Sequence, residues 1–333
     1  MTDFVLQTIK WYRRNKRELP WRETKNPYFI WLSEVILQQT RVEQGLSYYL
    51  KFIEKYPTIE NLALANEDEV LKLWQGLGYY SRARNLHATA KIVYHQYNGI
   101  FPSTLNEIEK LKGIGPYTAA AIASFAFDLP HAVVDGNVYR ILSRYFGIST
   151  PIDSTEGKKE FFQLANELIP TQNPAEFNQA IMEFGGQYCT PNQPDCMNCV
   201  HFNSCVAGKT QTFSNYPVKS KKTKVRDRYF HYLYIEHNDE ICFNKRGPND
   251  VWENLYEFPL IETESKDKPT DQLLDTFELC FSTKHILSHQ RIHAQFYKTK
   301  FNADFISNYP TKKRNELEEI AISRLIDKFF EQN

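Results

Sequence analysis

The sequence predicts two kinds of fold in one chain, a mainly α first half and an α+β second half. Three observations carry this. Through residues 1 to about 207, apolar residues recur at helical spacing, as in FIWLSEVILQQT, LSYYLKFIEKY and AIASFAF, with Pro and Gly between the segments. The composition then changes from Gly208 to Lys224 (GKTQTFSNYPVKSKKTK), which holds five lysines, no acid and no apolar periodicity. Beyond Arg226 the pattern is strand-like in YFHYLYIEH, EICFNKR and RIHAQFYKTKF, and a helix closes the chain around Leu317 to Phe330.

A length of 333 residues suits two domains, each able to bury its own core. The expected division is 1–207, a linker at 208–225, and 226–333. The linker reads as a solvated tether, or alternatively as a segment lying along DNA. Forty basic residues balance forty acidic ones, so net charge points to no polyanionic partner and excludes none. The N-terminus MTDFVLQTIKWYRRNKR lacks the apolar run of a secretion signal, and no stretch approaches membrane-spanning length. A soluble cytoplasmic protein without membrane contact is expected. No apolar stripe is left over for a second copy, so a monomer is expected too.

Within the helical half, Leu111 to Arg140 (LKGIGPYTAAAIASFAFDLPHAVVDGNVYR) organises the rest. Leu-Lys-Gly-Ile-Gly is a hairpin expected to be too tight for side chains at Gly113 and Gly115. A helix follows from Thr118 to Phe127. The glycines leave amides free at a helix N-terminus, an arrangement suited to phosphate. The segment reads as helix-hairpin-helix, and the ligand it suits is a DNA backbone.

Two carboxylates stand out. Glu34 lies in a helix that is apolar almost all round (FIWLSEVIL), where desolvation raises a carboxyl's pKa and lets it keep a proton near neutrality. The plainer reading puts it on a polar stripe with Gln38. Asp135 precedes Gly-Asn-Val-Tyr-Arg and reads as a helix N-cap, which also holds an ionised carboxylate still. One protonated and one charged carboxylate are what cleavage of a glycosidic bond requires. A base inside a duplex must first be flipped out to reach them.

Four of the six cysteines, Cys189, Cys196, Cys199 and Cys205, fall within 17 residues at C-x6-C-x2-C-x5-C spacing. In a reducing compartment this favours metal over disulfide. Zinc and an iron–sulfur cluster both remain open, with iron–sulfur favoured because only one short C-x2-C knuckle is present. His201 and Asn203 beside them read as solvated loop residues.

Taken together, these features resemble the helix-hairpin-helix DNA glycosylases of the endonuclease III superfamily, and within it the adenine-DNA glycosylases of the MutY type. The residues that carry the resemblance are Leu19-Pro-Trp-Arg22, Trp31 to Thr40, Trp74 to Arg82, Leu111 to Thr118, Val134 to Val138 and the cysteines. The resemblance implies a [4Fe–4S] loop at 189–205, and duplex DNA with adenine opposite 8-oxoguanine or guanine as substrate. Bifunctional members carry a Lys in the hairpin that forms an imine with the sugar; the residue here is Tyr117, which implies a monofunctional glycosylase. By the same likeness Glu34 would protonate adenine at N7 and Asp135 would stabilise the sugar cation, supported by Tyr117 and Asn137. Glu183 would bind the flipped adenine in a pocket lined by Trp21 and Arg22. Gln39, Thr40, Leu77 and Tyr79 would read or wedge beside the oxidised guanine. Leu77 and Tyr79 also fit a turn with core aromatics, and that is the reading for Tyr80.

The second half resembles the Nudix-like C-terminal domain of the same family through Trp252, Leu255, Tyr256, Glu257, Phe258 and Pro259. The following stretch lacks a glycine-led helix of metal-binding glutamates, so no pyrophosphatase activity is expected. Leu287-Ser288-His289 stands where the family has Phe-Ser-His, which gives Ser288 and His289 a part in recognising 8-oxoguanine. Without the resemblance, His289 reads as a surface loop histidine. Three rivals follow: a glycosylase for thymine opposite guanine, a non-catalytic damage sensor, and a glycosylase with an added pyrophosphatase.

Overall fold

The structure is a computed structural model that describes residues 2–220, 225–267, 269, 276–299 and 309–332. It divides into two compact units, Met1–Glu60 with Ala88–Lys221 and Asn61–His87 with Lys222–Asn333.

The chain begins with α1 (Asp3–Asn15), capped by Thr2, whose side chain accepts from the Val5 amide. A 3-10 turn (Pro20–Arg22) leads to α2 (Pro27–Ile36), with Asn26 as its cap and Pro27 at the first helical position, where no amide partner is needed. Next come α3 (Val42–Lys55), α4 (Ile59–Leu64), α5 (Glu67–Leu73) and α6 (Ser81–Gln96). The helices α7 (Leu105–Ile108), α8 (Pro116–Phe127), α9 (Gly136–Phe146), α10 (Thr155–Leu168), α11 (Pro174–Gln187) and α12 (Val206–Thr210) follow in the first unit, whereas α5 and the start of α6 belong to the second.

Two apolar clusters build that unit. In the larger, Phe4, Val5, Ile9 and Tyr12 of α1 pack with Phe177, Ile181 and Phe184 of α11 and with Val138, Ile141 and Leu142 of α9. Each large side chain buried in this way contributes on the order of 1.5–3 kcal/mol. In the smaller, Ile30 of α2 packs on Ala120, Ala121 and Phe125 of α8, whose small residues let the two helices approach. These contacts fix α2, α8, α9 and α11, the elements that carry Glu34, Tyr117, Asp135 and Glu183.

Part of the stretch read as a linker is structured. Beyond α12 lies a 3-10 turn (Phe213–Asn215), and the Ile152 amide donates to the Val218 carbonyl. The Ser220 amide and hydroxyl both donate to Asp153 Oδ1 at 3.0 Å. Residues 221–224 lie outside the described residues.

The second unit contains β1 (Arg226–Tyr234), β2 (Glu236–His237), β3 (Glu240–Cys242), β4 (Asn244–Lys245), β5 (Tyr256–Glu257), β6 (Leu260–Thr263), β7 (Phe277–Ile286), β8 (Gln290–Thr299) and β9 (Thr311–Lys313). The main sheet has the order β6-β1-β8-β7. Its β1–β8 pair is parallel and the other two pairs are antiparallel. Two smaller sheets, β2-β3-β9 and β4-β5, complete it. The closing helix, α13 (Arg324–Gln332), is shorter than the sequence pattern predicts. Residues before it are drawn into extended pairing: the Tyr256 amide donates to the Ala321 carbonyl at 2.8 Å, and Ile322 bridges Tyr256. Among the described residues, no helix is long and apolar enough to cross a membrane.

Candidate active site

In the first unit a cavity of about 450 Å³ is lined by Trp21, Arg22, Glu34, Thr40, Tyr117, Asp135, Asn137 and Glu183, together with Arg17 and Gln179. Side chains drawn from five separate stretches of sequence therefore meet in one place. Gln39 stands exposed at a left-handed φ of 56°, in the turn that follows α2, and does not line the cavity.

Glu34 is 7 % exposed. Burial pushes its carboxyl up to about 7; the Tyr117 bond opposes this, the Asp135 charge adds to it, and Arg22 opposes it. The Tyr117 hydroxyl donates to Glu34 Oε2 at 2.9 Å. Burial also holds the Tyr117 phenol well above its ordinary value, so the pair is a neutral donor beside an acid that titrates near neutrality.

Asp135 is the N-cap of α9, as its sequence context predicts. Its Oδ1 accepts from the Val138 amide and its Oδ2 from Asn137 Nδ2, both at 2.7 Å. Burial raises its carboxyl too, while the Val138 and Asn137 donors and the Arg140 charge pull against the rise. Glu34 meets a phenol, whereas Asp135 meets amides and a guanidinium field. Of the two, Asp135 has more N–H donors on its carboxylate, and these oppose the rise that burial causes.

Glu183 is 1 % exposed and forms the cavity's charged floor. Arg17 grips it through Nε at 2.8 Å and Nη2 at 2.9 Å, and the Arg17 amide adds a bond at 3.1 Å. Arg22 Nη2 donates at 2.7 Å, and Gln187 Nε2 donates to the same carboxylate. Burial alone would raise this carboxyl; the bonds from Arg17 and Arg22 outweigh it and hold the group at about 2. A carboxylate has about four lone-pair sites, so these donors fill it as folded, and an adenine amino group reaches it only by displacing one. Arg17 is a site residue that the sequence pattern did not reveal.

At the hairpin, Gly113 has a φ of 75°, which favours glycine. Gly115 differs from expectation. Its backbone is extended and a Cβ there would meet nothing within 4 Å, so tightness does not explain it. It is the N-cap of α8 and has no side chain to accept from that helix's first amides, which leaves open space in front of them. The Thr89 hydroxyl donates to the Lys112 carbonyl at 2.6 Å and anchors the hairpin.

Cys189, Cys196, Cys199 and Cys205 line a common pocket. N–H groups point at three of the sulfurs: Arg144 Nη1 at Cys189 (3.4 Å), the His201 amide at Cys199 (3.4 Å) and the Gly208 amide at Cys205 (3.3 Å). Four soft donors, three of them with N–H groups aimed at the sulfur, fit a thiolate-held metal group. Among the described residues, no group of three or more His, Cys, Asp or Glu is arranged to hold a metal ion as it stands. His201 corrects the reading of a solvated loop residue: it is 3 % exposed, 3.0 Å from Thr8 Oγ1, and packed against Phe4, Tyr145 and Phe184. Asn203 is exposed, as expected.

Arg140 ties this loop to the cavity. Its Nε donates to the Cys189 carbonyl at 2.8 Å, and its Nη2 donates to Asn137 Oδ1 at 2.8 Å and to the Gly185 carbonyl at 2.7 Å. A Cβ at Gly185 would lie 2.6 Å from Asn137 Cβ, so only glycine lets α11 pass this close to α9. The contacts that tie Arg140 to the loop and to α11 carry no local signal in the sequence, because Cys189 and Gly185 lie 49 and 45 residues away.

The second unit holds a cavity of about 500 Å³ lined by Leu77, Tyr79, Trp252, Leu287, His289 and Gln290, among others. Leu77, Tyr79 and His289 are thus brought together. Leu77 is 8 % and Tyr79 44 % exposed. The Ser288 hydroxyl lies 3.1 Å from His289 Nδ1. Tyr80 is buried, as expected.

Comparison with known proteins places these features in a family. The profile of the HhH-GPD superfamily base excision DNA repair proteins matches residues 32–171, and that of the NUDIX domain matches 231–332. The adenine DNA glycosylase of Buchnera aphidicola subsp. Schizaphis graminum is 33 % identical over 325 residues, covering 94 % of this chain and 92 % of that protein. The structure of a thermostable thymine-DNA glycosylase is 31 % identical with a TM-score of 0.58, and covers 62 % of this chain and 95 % of that one. A trapped endonuclease III–DNA covalent intermediate has a TM-score of 0.55 at 24 % identity over 62 % of this chain and 94 % of that one, a likeness of fold alone.

Proposed function

The chain belongs to the adenine DNA glycosylases of the HhH-GPD superfamily, and we propose that it excises adenine mispaired with 8-oxoguanine or guanine in duplex DNA. Its place in base excision repair follows from the family. The observation that carries the reaction is the pairing, in one cavity, of Glu34, whose carboxyl sits at about 7, with Asp135, whose carboxylate is held by N–H donors.

In this reading adenine is flipped out of the duplex into the cavity. Glu34 gives its proton to adenine N7, which makes the base a better leaving group as the N9–C1′ bond breaks. Asp135, steadied by Asn137, faces the cationic sugar until water adds at C1′. Tyr117 holds Glu34 in place and, being a phenol, forms no imine with the sugar; the product is an abasic site in an uncut strand. Trp21 and Arg22 wall the base, and Glu183 acts through the guanidinium groups it holds.

Cys189, Cys196, Cys199 and Cys205 would hold a [4Fe–4S] cluster, whose role here is to fix the loop that Arg140 joins to Asn137. The amides ahead of α8, at Gly113 and Gly115, suit a DNA phosphate. We assign catalysis to residues 1–207 and recognition of the oxidised guanine to Ser288 and His289 of 226–333, with Leu77, Tyr79, Gln39 and Thr40 reading or wedging beside it from the first half. The protein would act as a monomer in the cytoplasm. The likeness to a thymine-DNA glycosylase favours a thymine-directed reading of the first half. It stops at 62 % of this chain, whereas the match to the adenine enzyme of Buchnera runs through both halves.

Single-turnover base release on duplexes carrying A opposite 8-oxoguanine, A opposite G, T opposite G, and an oxidised pyrimidine tests this. The expected result is adenine release fastest opposite 8-oxoguanine, with strand breaks only after alkali. Preference for a pyrimidine, or cleavage without alkali, would overturn the assignment.

A further inference from the structure

The loop from Gly76 to Tyr79 presents the two residues proposed to meet the DNA, and its backbone is unusual. Gly76, Gly78 and Tyr79 all have positive φ, at 101°, 70° and 47°. For Tyr79, a bulky residue, that conformation is strained and needs support from outside the loop. The support is Arg82. It is 9 % exposed, and its Nη2 donates to the Leu77 and Gly78 carbonyls, both at 3.2 Å. Its guanidinium lies 4.9 Å from the centre of the Trp74 ring and 5.9 Å from that of Tyr79. Trp74, fully buried, adds a bond from Nε1 to the Gly78 carbonyl at 3.0 Å. One planar cation thus gathers two carbonyls of the loop and lies over both the buried indole of Trp74 and the exposed ring of Tyr79.

We propose that Arg82 is a positioning residue: clamped on Trp74, it sets the Gly76–Tyr79 loop so that Tyr79 and Leu77 face the duplex beside the mispair. This rests on the proposed reading of 8-oxoguanine mispairs. The guanidinium is suited to the task because Nη2 reaches both carbonyls while the planar face lies on the rings, a face that an ammonium lacks. Both carbonyls and the Tyr79 ring belong to the loop, whereas Glu34 and Asp135 line the cavity of the first unit.

The test uses the full-length protein with Arg82→Lys and, as a milder variant, Trp74→Phe, which keeps the ring and removes the bond to Gly78. Hydrogen exchange of the free proteins reads the loop directly, at the Leu77 amide that donates to the Trp74 carbonyl. Affinity is measured on A·8-oxoguanine and undamaged duplexes. Arg82→Lys should speed exchange at the loop and weaken mispair binding about ten-fold, the loss of one to two hydrogen bonds. Single-turnover release at saturating enzyme should change by less than about two-fold. In a Tyr79→Ala background, Arg82→Lys should cause a smaller further loss, that of Leu77 alone. Unchanged exchange in both variants, or an undiminished loss in the Tyr79→Ala background, would overturn the proposal. Equal affinity of the wild type for the two duplexes would overturn the mispair reading instead, and the exchange data would still decide whether Arg82 sets the loop.

Discussion

Replacing Glu34 with Gln should abolish base release and, at alkaline pH, make the protein more stable. Folding raises the carboxyl of Glu34 from 4.5 to about 7. The folded state therefore holds this proton more tightly than the unfolded chain does. The stability associated with the protonated group is fully present below 4.5 and is lost as pH rises through 7. At about 1.4 kcal/mol per pH unit, the loss reaches roughly 3 kcal/mol above neutrality. At 7 % exposure, solvent screens little of it. Gln has nearly the same shape and never ionises, so the variant escapes this loss. The assay is urea unfolding of both proteins at about pH 5 and about pH 8.5, beside single-turnover adenine release. The gain should be small at the lower pH, approach ~3 kcal/mol at the higher, and accompany a loss of rate of at least ~100-fold. A stability difference that does not depend on pH, or a less stable variant at pH 8.5, would refute the argument that Glu34 is held as a desolvated acid.

Other substitutions probe the same cavity. Tyr117→Phe removes the hydroxyl that donates to Glu34 and so makes ionisation harder. The alkaline limb of the pH–rate profile should move up by about one unit, and a limb that stays or moves down contradicts the assigned hydrogen bond. Asp135→Asn keeps a competent N-cap, so its melting temperature should stay within a few degrees while release falls by about 100-fold; parallel losses of both would reduce Asp135 to a cap. Cys199→Ala should cost folding or DNA affinity, read by thermal melting and duplex binding, and retention of both without iron would refute a structural cluster.

Much of this cavity was legible because its motifs are local. Asp135 announces itself as a cap within Asp-Gly-Asn, and the structure places it at the start of α9 with the Val138 amide on its oxygen. Glu34 is conspicuous as a carboxylate in an apolar helix, and burial follows from that pattern. Arg17 was illegible because its partner Glu183 is 166 residues away and the residues around it look like any basic surface turn. His201 was misread for a related reason. A histidine in a polar loop looks solvated until α1 is known to supply Phe4 and Thr8 as its neighbours. The closing helix was drawn too long because periodicity does not register the competing pairing of Ala321 and Ile322 with Tyr256.

The contact between Thr8 and His201 spans 193 residues, and α1 otherwise rests on α9 and α11. A ribosome adding roughly 5–20 residues per second needs on the order of 10–40 s to travel that far. Until α9 and α11 have followed it out of the tunnel, the first helix stands with Phe4, Val5, Ile9 and Tyr12 unpartnered, a sticky nascent segment awaiting the rest of its core. Arg17, just beyond it, cannot close on Glu183 until α11 has been made. Synthesis therefore leaves the Glu183 floor of the cavity among the last parts of the first unit to assemble. A chain stalled before residue 174 would expose an apolar helix to chaperones or to its neighbours on the same polysome.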